Sequence, residues 1–300
     1  MTTVKLVSGG VDSYIMSQEY DGLNVYVDFG QKYATEEQNA LRKLGVPFET
    51  VNVSGGERQD GEQVYIPCRN MTLASLACTL FDADVVMLAG LRDDNCLDKN
   101  EQEFSLMGQV LTRYAGKPVK VVSPYFDKSK GEVVYEFRGD KSKLKDTFSC
   151  YSPVDGRPCG NCPACLRRAI ALETNGIDAG VEIGEQVIGE YSKKIHAYDA
   201  DRISRFLLFV GRRKKVVAYD LDGTICKEMQ QRQYRDAELL FNPPRKPNEY
   251  RVIYTSRLEV DREITERWLR ENRVPYDCLL MGKPAYATLV DDRATRPPHL

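Results

Sequence analysis

The chain has little histidine and less tryptophan, two and one in 300 residues, and neither His196 nor His299 has a ligand pattern near it, so both are read as incidental. Long hydrophobic runs are missing too. No stretch approaches the roughly 20 apolar residues of a membrane helix, and Met1-Thr2-Thr3-Val4-Lys5 leads into the first strand without an apolar signal region. The expectation is a cytoplasmic protein with no membrane contact. Charge of either sign is not in excess: 42 Lys and Arg face 44 Asp and Glu, for a formal net charge of −2. That leaves no global basic field to draw in a polyanion and argues against nucleic acid as partner, although a local basic patch stays open. Internal repeats and low-complexity tracts are also absent.

What is there is the composition of a globular protein, 42% hydrophobic and 29% charged. At about 100–200 residues per domain, this length favours two domains. Val4 to Val7, Leu23 to Phe29, Phe48 to Val53, Val85 to Ala89 and Val119 to Val122 read as strands. Asp12 to Tyr20, Thr35 to Leu44, Met71 to Phe81 and Phe104 to Tyr114 read as the helices between them. This alternation implies a parallel sheet covered on both faces, with its ligand site at the strands' carboxyl ends. A loop from Lys141 to Cys165 and a helix from Leu166 to about Thr174 follow. Periodicity is mixed over 176–213, and Arg212-Arg213-Lys214-Lys215 then precedes the strand Val216 to Tyr219. The expected fold is α/β in two domains, residues 1–212 and a smaller strand-and-helix series over 213–300.

Ser8-Gly9-Gly10-Val11-Asp12-Ser13 joins the first strand to the first helix. A glycine pair there lets successive N–H groups and the helix N-terminus face an anion, making a phosphate cradle. The ordinary phosphate loop also needs a lysine before Ser or Thr, and this one has none. Four of the nine cysteines, Cys150, Cys159, Cys162 and Cys165, fall within one short loop. Their spacing fits a tetrahedral zinc, and a C-x2-C-x2-C run also suits an iron–sulfur cluster. Cys68, Cys78, Cys96, Cys226 and Cys278 are read as small buried hydrophobes.

Ser8 to Ser13 resembles the pyrophosphate-binding loop of the PP-loop superfamily (adenine nucleotide alpha hydrolase-like), whose members split ATP to AMP and pyrophosphate while adenylating an oxygen. The resemblance implies that Ser8, Gly9, Gly10, Asp12 and Ser13 hold the pyrophosphate, with Asp12 near magnesium. Asp28-Phe29-Gly30-Gln31-Lys32, Ile66-Pro67-Cys68-Arg69-Asn70, and Ser149-Cys150-Tyr151 leading to Cys159 to Arg167 narrow it further. Together they resemble the 7-cyano-7-deazaguanine synthase (QueC) family over about the first two-thirds of the chain. Members adenylate a carboxylated 7-deazaguanine, let ammonia displace AMP, and repeat the activation to make a nitrile. Arg69 and Lys130 are the candidate cations for the charge on the transferring phosphorus. Two departures stand out. Cys68 replaces the glycine of Val-Pro-Gly-Arg-Asn, and Asp93-Asp94-Asn95-Cys96-Leu97-Asp98 stands in place of Tyr-Pro-Asp-Cys-Arg. An enzyme that stops after one activation would pass its acyl group to an amine of a partner protein, as QueC-like ligases of bacterial antiviral systems do. A tRNA-acting PP-loop enzyme, a thiolase or lysidine synthetase, would need a catalytic cysteine pair or a basic face.

Past the charged seam, Asp220-Leu221-Asp222-Gly223-Thr224, Thr255-Ser256-Arg257, Met281-Gly282-Lys283 and Asp291-Asp292 each follow a hydrophobic strand or come late in the series. In that order they resemble the motifs of haloacid dehalogenase (HAD) phosphohydrolases, in a small Rossmann-like domain without a cap. The resemblance implies Asp220 as nucleophile, Asp222 as general acid and base, Thr255 and Lys283 on the phosphoryl group, and Asp291 or Asp292 completing a magnesium site. The alternative is a catalytically idle module that binds a partner or a nucleotide. ATP, magnesium and zinc are the expected cofactors, and a homodimer is compatible with all of this.

Overall fold

Short β-branched runs separated by helices can bury both faces only if they pair side by side in parallel, and they do so in the computed structural model, which describes residues 1–53, 66–94, 96–228 and 233–284. By its contacts the chain divides into two units, Met1–Val187 and Ile188–Leu300. The first unit holds strands β1 (Thr3–Leu6), β2 (Leu23–Asp28), β3 (Glu49–Asn52), β4 (Val85–Met87) and β5 (Lys120–Val122). They form one parallel sheet in the order β3-β2-β1-β4-β5. Its helices are α1 (Val11–Glu19), α2 (Ala34–Lys43), α3 (Arg69–Phe81), α4 (Glu101–Ala115), α5 (Lys130–Glu136) and α6 (Pro163–Glu173), with α7 (Glu185–Lys193) running across the division. Val4, Val25, Val86, Phe104 and Leu111 are in its core.

The strand order places the site. β2 and β3 lie to one side of β1, and β4 and β5 to the other, so the crossovers diverge beyond the carboxyl end of β1 and leave a crevice there. The loop that opens into it is Ser8 to Gly10. Helix starts follow local chemistry that an apolar pattern does not carry. Asn100 accepts a hydrogen bond from the Glu103 N–H at 3.0 Å and starts α4 three residues ahead of Phe104. Ser129 and Glu132 form a capping box that starts α5, a helix too short to show a period.

The second unit pairs β6 (Lys215–Tyr219), β7 (Glu249–Tyr254) and β8 (Cys278–Leu280) in parallel, in that order. Helices α8 (Ala200–Gly211) and α9 (Arg262–Glu271) accompany them, and Leu221, Ile253, Trp268, Leu269 and Leu279 fill the core. The seam at Arg212 to Lys215 is a turn inside this unit rather than a boundary at 212/213. Its neighbour α8 buries Phe206, Phe209 and Val210 and sets the Phe206 ring 6.1 Å from Tyr250 of β7, which commits the helix to the second sheet. Asp291, Asp292 and His299 lie outside the described residues, and His196 is exposed in a one-turn 3-10 segment. Among the described residues no helix is long and apolar enough to cross a membrane.

Because Trp268, the sole tryptophan, is 2% exposed in the second unit, its fluorescence reports that unit's unfolding. Phe206→Ala is expected to lower the stability read by Trp268 in a urea titration by about 3 kcal/mol, through the cavity it leaves. A change under about 1 kcal/mol would show that α8 is not part of that core.

Candidate functional site

The turn after β1 must bring backbone close to α2. At Gly9, where φ is +69°, a Cβ would stand 2.7 Å from the Glu37 carbonyl oxygen, so any side chain would collide with main chain. Gly10 caps α1 with no side-chain hydrogen bond to the helix's first N–H groups, which leaves them for a ligand. Ser13 braces the turn: its Oγ accepts from the Ser8 N–H at 3.1 Å and donates to the Gly10 carbonyl at 3.1 Å. A pocket of about 300 Å³ opens over this turn. Ser8, Gly10, Asp12, Ser13, Arg69 and Lys130 all line it, and Gly9 shapes the turn behind them.

Charges around the pocket are mostly paired. The Lys130 ammonium, at the first position of α5, bonds Asp12 Oδ2, while Asp12 Oδ1 is buried without a partner. Lys99 binds Asp94 at 2.7 Å, and Arg167 of α6 reaches the same carboxylate at 3.0 Å and Asp93 at 3.3 Å. Burial opposes ionisation of Asp94, yet Lys99 and Arg167 hold it well below the usual carboxylate range. Glu37 is different. Its Oε2 accepts from the Tyr26 hydroxyl at 2.8 Å and from Gln31 Nε2 at 3.2 Å, and no cation pairs with it among the described residues. Burial pushes its carboxyl up to about 7, against those two hydrogen bonds and the attraction of Arg69. Tyr33 and Tyr151, with ring centroids 6.0 Å apart, add aromatic surface to the lining.

The four-cysteine loop sits directly behind this wall. Phe148 N–H donates to the Gly9 carbonyl at 2.9 Å, and Cys150 follows two residues later. The sulfurs of Cys150, Cys159, Cys162 and Cys165 lie within 4.8 Å of one another, a soft donor set that fits a metal as zinc or an iron–sulfur centre. Hydrogen bonds from the Cys150 and Cys165 thiols hold Cys162 well below the ordinary thiol range. The same sharing pushes Cys150 up to about 11 and Cys165 higher still. Of the cysteines expected to be buried, Cys226 and Cys278 are. Cys78 is only partly buried and Cys68 and Cys96 are exposed, Cys68 in left-handed backbone at the start of α3 and Cys96 at the pocket.

In the second unit the ends of three strands converge. Asp220 follows β6 and Thr255 follows β7, while Lys283, just past β8, reaches Asp220 Oδ2 at 2.9 Å and donates its backbone N–H to the Thr255 carbonyl. Asp222 takes a two-pronged bond from buried Arg257 at 2.6 and 2.9 Å and accepts from Thr255 Oγ1 at 3.2 Å. Tyr234 stacks on the Arg257 guanidinium at 4.0 Å. Asp220, Asp222, Thr255 and Lys283 therefore meet, joined by Arg257.

A family model described as "Queuosine biosynthesis protein QueC" matches residues 2–176. The chain belongs to the QueC family. Among curated relatives, the 7-cyano-7-deazaguanine synthase of Pyrococcus furiosus is 31% identical over 162 residues, 48% of this chain and 66% of that one. The enzyme of the same name from Leptospira interrogans is 26% identical over 211 residues, 58% of this chain and 87% of that one. That of Methanothermobacter thermautotrophicus is 26% identical over 223 residues, 62% of this chain and 100% of that one. Among solved structures, the U34-tRNA thiolase NcsA from Methanococcus maripaludis, with its 4Fe-4S cluster, covers 71% of each chain at 14% identity and a TM-score of 0.35.

Within the QueC-matched segment, sequence reading named the loop, Arg69, Lys130 and the four cysteines. It missed Glu37, Asp94, Lys99 and Arg167 as lining residues. Glu37 had one signal, an acidic residue in a helix that opens just past the end of a central strand. Arg167 had another: it lies one turn along a helix whose start the cysteines fix.

Cys162→Ser is expected to release the metal, measured by mass spectrometry of the purified protein, and to weaken nucleotide binding at least ~10-fold through the Phe148–Gly9 contact. Glu37→Gln tests the burial of that carboxylate. A folded-state value raised above the unfolded one favours the folded state only while the group is protonated, and that benefit is lost as pH rises through about 7. Glu37→Gln should thus match the wild type near pH 4 and exceed its stability at pH 8 by about 3 kcal/mol, in thermal unfolding at both pH values.

Proposed function

We propose that the first unit is an ATP-dependent, AMP-forming enzyme that activates the carboxylate of a 7-carboxy-7-deazaguanine and converts it to the amide and then the nitrile. The observation that carries this is the convergence of Asp12, Arg69 and Lys130 on the Ser8–Ser13 turn, inside the segment that matches the QueC family. The names of the relatives supply the substrate. A substrate carboxylate oxygen attacks the α-phosphorus of ATP and pyrophosphate leaves into the cradle of α1 N–H groups, with Arg69 and Lys130 offsetting the charge. Ammonia then attacks the acyl carbon and AMP departs, giving the amide. In the second round the amide oxygen is adenylated, and loss of AMP with the nitrogen-bound protons leaves the nitrile. The unpartnered Asp12 Oδ1 fits a magnesium ion accompanying ATP.

The four cysteines would hold a structural zinc. A tetrahedral zinc with Zn–S near 2.3 Å sets its sulfurs about 3.8 Å apart, in keeping with a set contained within 4.8 Å. An iron–sulfur cube spreads its cysteines further. A closed four-thiolate site has no open position for substrate, so its part is to brace the loop. A second reading, transfer of the activated acyl group to an amine of a partner protein in antiviral defence, is favoured by one feature. The segment from Asp93 replaces the family's substrate region, and its Asp94 is tied to Lys99 and Arg167 in the pocket wall.

For the second unit we propose a HAD-like phosphohydrolase. Asp220 would attack phosphorus, Asp222 would pass the proton, and Thr255 and Lys283 would hold the phosphoryl oxygens. The half-open Asp220 carboxylate, 40% exposed, suits a magnesium ion that would offset phosphoryl charge, with Asp291 or Asp292 as further ligands.

The decisive assay incubates the chain with ATP, 7-carboxy-7-deazaguanine and ammonia, and follows AMP and product mass. AMP with amide and nitrile is expected, and Asp12→Asn should slow AMP formation by about 100-fold. No AMP with any deazapurine would end the first reading, and AMP without nitrile, with a mass increase on an added protein, would favour the second. Separately, hydrolysis of p-nitrophenyl phosphate should vanish in Asp220→Asn and persist in Asp12→Asn; no hydrolysis by the wild type would leave the second unit as a binding module.

A further inference from the structure

Among the described residues the pocket is lined by three carboxylates, and two of them are ion-paired. Asp12 is held by Lys130, and Asp94 by Lys99 and Arg167. Glu37 has no cation. Its two donors among the described residues both land on Oε2, and none of those residues donates to Oε1. The donors also fix which oxygen is which. Gln31 Nε2 donates to the Tyr26 oxygen at 2.7 Å, and the Tyr26 hydroxyl in turn donates to Glu37 Oε2 at 2.8 Å, its nearer acceptor, the Ala34 carbonyl lying at 3.4 Å. A carboxylate is acceptor only, and leaving one in a pocket without a counter-charge is costly unless a ligand brings N–H groups to it. Near it, Tyr33 and Tyr151 offer aromatic surface to a flat ring.

We propose that Glu37 is the residue that selects the acyl substrate, by accepting hydrogen bonds from adjacent ring N–H and exocyclic amino donors of a guanine-type base. Adenine presents an unprotonated ring nitrogen at the corresponding edge and would set acceptor against acceptor, so the same group turns the adenine of ATP away from this end of the pocket. The inference rests on the reading of this pocket as a deazaguanine site. It goes further in naming the discriminating side chain.

Tyr26 and Gln31 make the test sharp. In Glu37→Gln they hold the amide oxygen on their side, so the new NH2 faces the ligand and meets donors with a donor. Binding of 7-carboxy-7-deazaguanine, of its analogue lacking the 2-amino group and of a non-hydrolysable ATP analogue is measured by calorimetry on the full chain, wild type and Glu37→Gln. The wild type is expected to prefer the 2-amino compound by about 100-fold, and Glu37→Gln by less than about 5-fold, with ATP-analogue affinity equal in both. An N1-methylated substrate, which blocks the same edge without any protein change, should bind the wild type about as weakly as the 2-deamino analogue. Preference that survives in Glu37→Gln, its absence in the wild type, or a loss that appears in ATP-analogue affinity instead would each overturn the proposal. AMP formation separates the two readings. Glu37-dependent base binding without AMP would end the activation chemistry and keep the base selector, whereas AMP formation with preference intact in Glu37→Gln would do the reverse.

Discussion

One backbone hydrogen bond, from Phe148 N–H to the Gly9 carbonyl, couples the two features on which the first unit depends. On one side of it is a turn that only glycine can make, because its backbone presses on α2. On the other is a loop that gathers four cysteine sulfurs within 4.8 Å of one another. Cys150 is two residues from Phe148, and Cys162 and Cys165 fix the first turn of α6, which carries Arg167 to the pocket. The four-cysteine site is thus joined to the pocket, which Cys150 itself lines. It sets the back wall of the phosphate turn and the position of the cation paired with Asp94.

How much of this could be read from the sequence depended on how local each determinant is. Ser8 to Ser13 was legible because a strand, two glycines and a helix start are contiguous, and the cysteines because metal ligands repeat at short spacing. The five strands were legible because their apolar runs are bounded by turns. α5 was not, since seven residues started by a capping box carry no period, and α8 was left unassigned because its stripe makes sense only against a sheet that follows it in the chain. Lys130 was named as a candidate cation, but nothing near it in the sequence indicates what it pairs with. That partner is Asp12, far away in sequence and brought near only by the parallel crossover. The pairing of Asp94 with Lys99 and Arg167 was hidden for the same reason.

The second unit shows the same logic with a different balance. Asp220 and Asp222 follow β6, Thr255 follows β7 and Lys283 comes just past β8, so a three-stranded parallel sheet is enough to bring the four together. Sequence order alone did not indicate how strongly Asp222 is held. Arg257 is buried with Tyr234 over its face and Thr265 Oγ1 on its far edge, so it has little freedom to release the carboxylate. For Asp222 to take the part proposed for it, Arg257 would have to give up at least one of its two bonds to that carboxylate.

That contrast between the units bears on how each distributes its charges. Asp222 is neutralised in advance by Arg257, and Asp12 and Asp94 by Lys130, Lys99 and Arg167. Glu37 alone among the pocket carboxylates is held by neutral donors, so its ionisation is left for a ligand to complete. Selection for stability alone would favour glutamine or an apolar residue there. A carboxylate kept at a cost to folding, with its orientation fixed by Tyr26 and Gln31, has the form of a site preorganised for something that is not yet bound. Pairing it with a lysine would remove the folding cost, and an ammonium placed on Oε1 would stand where the proposed ring donors bind.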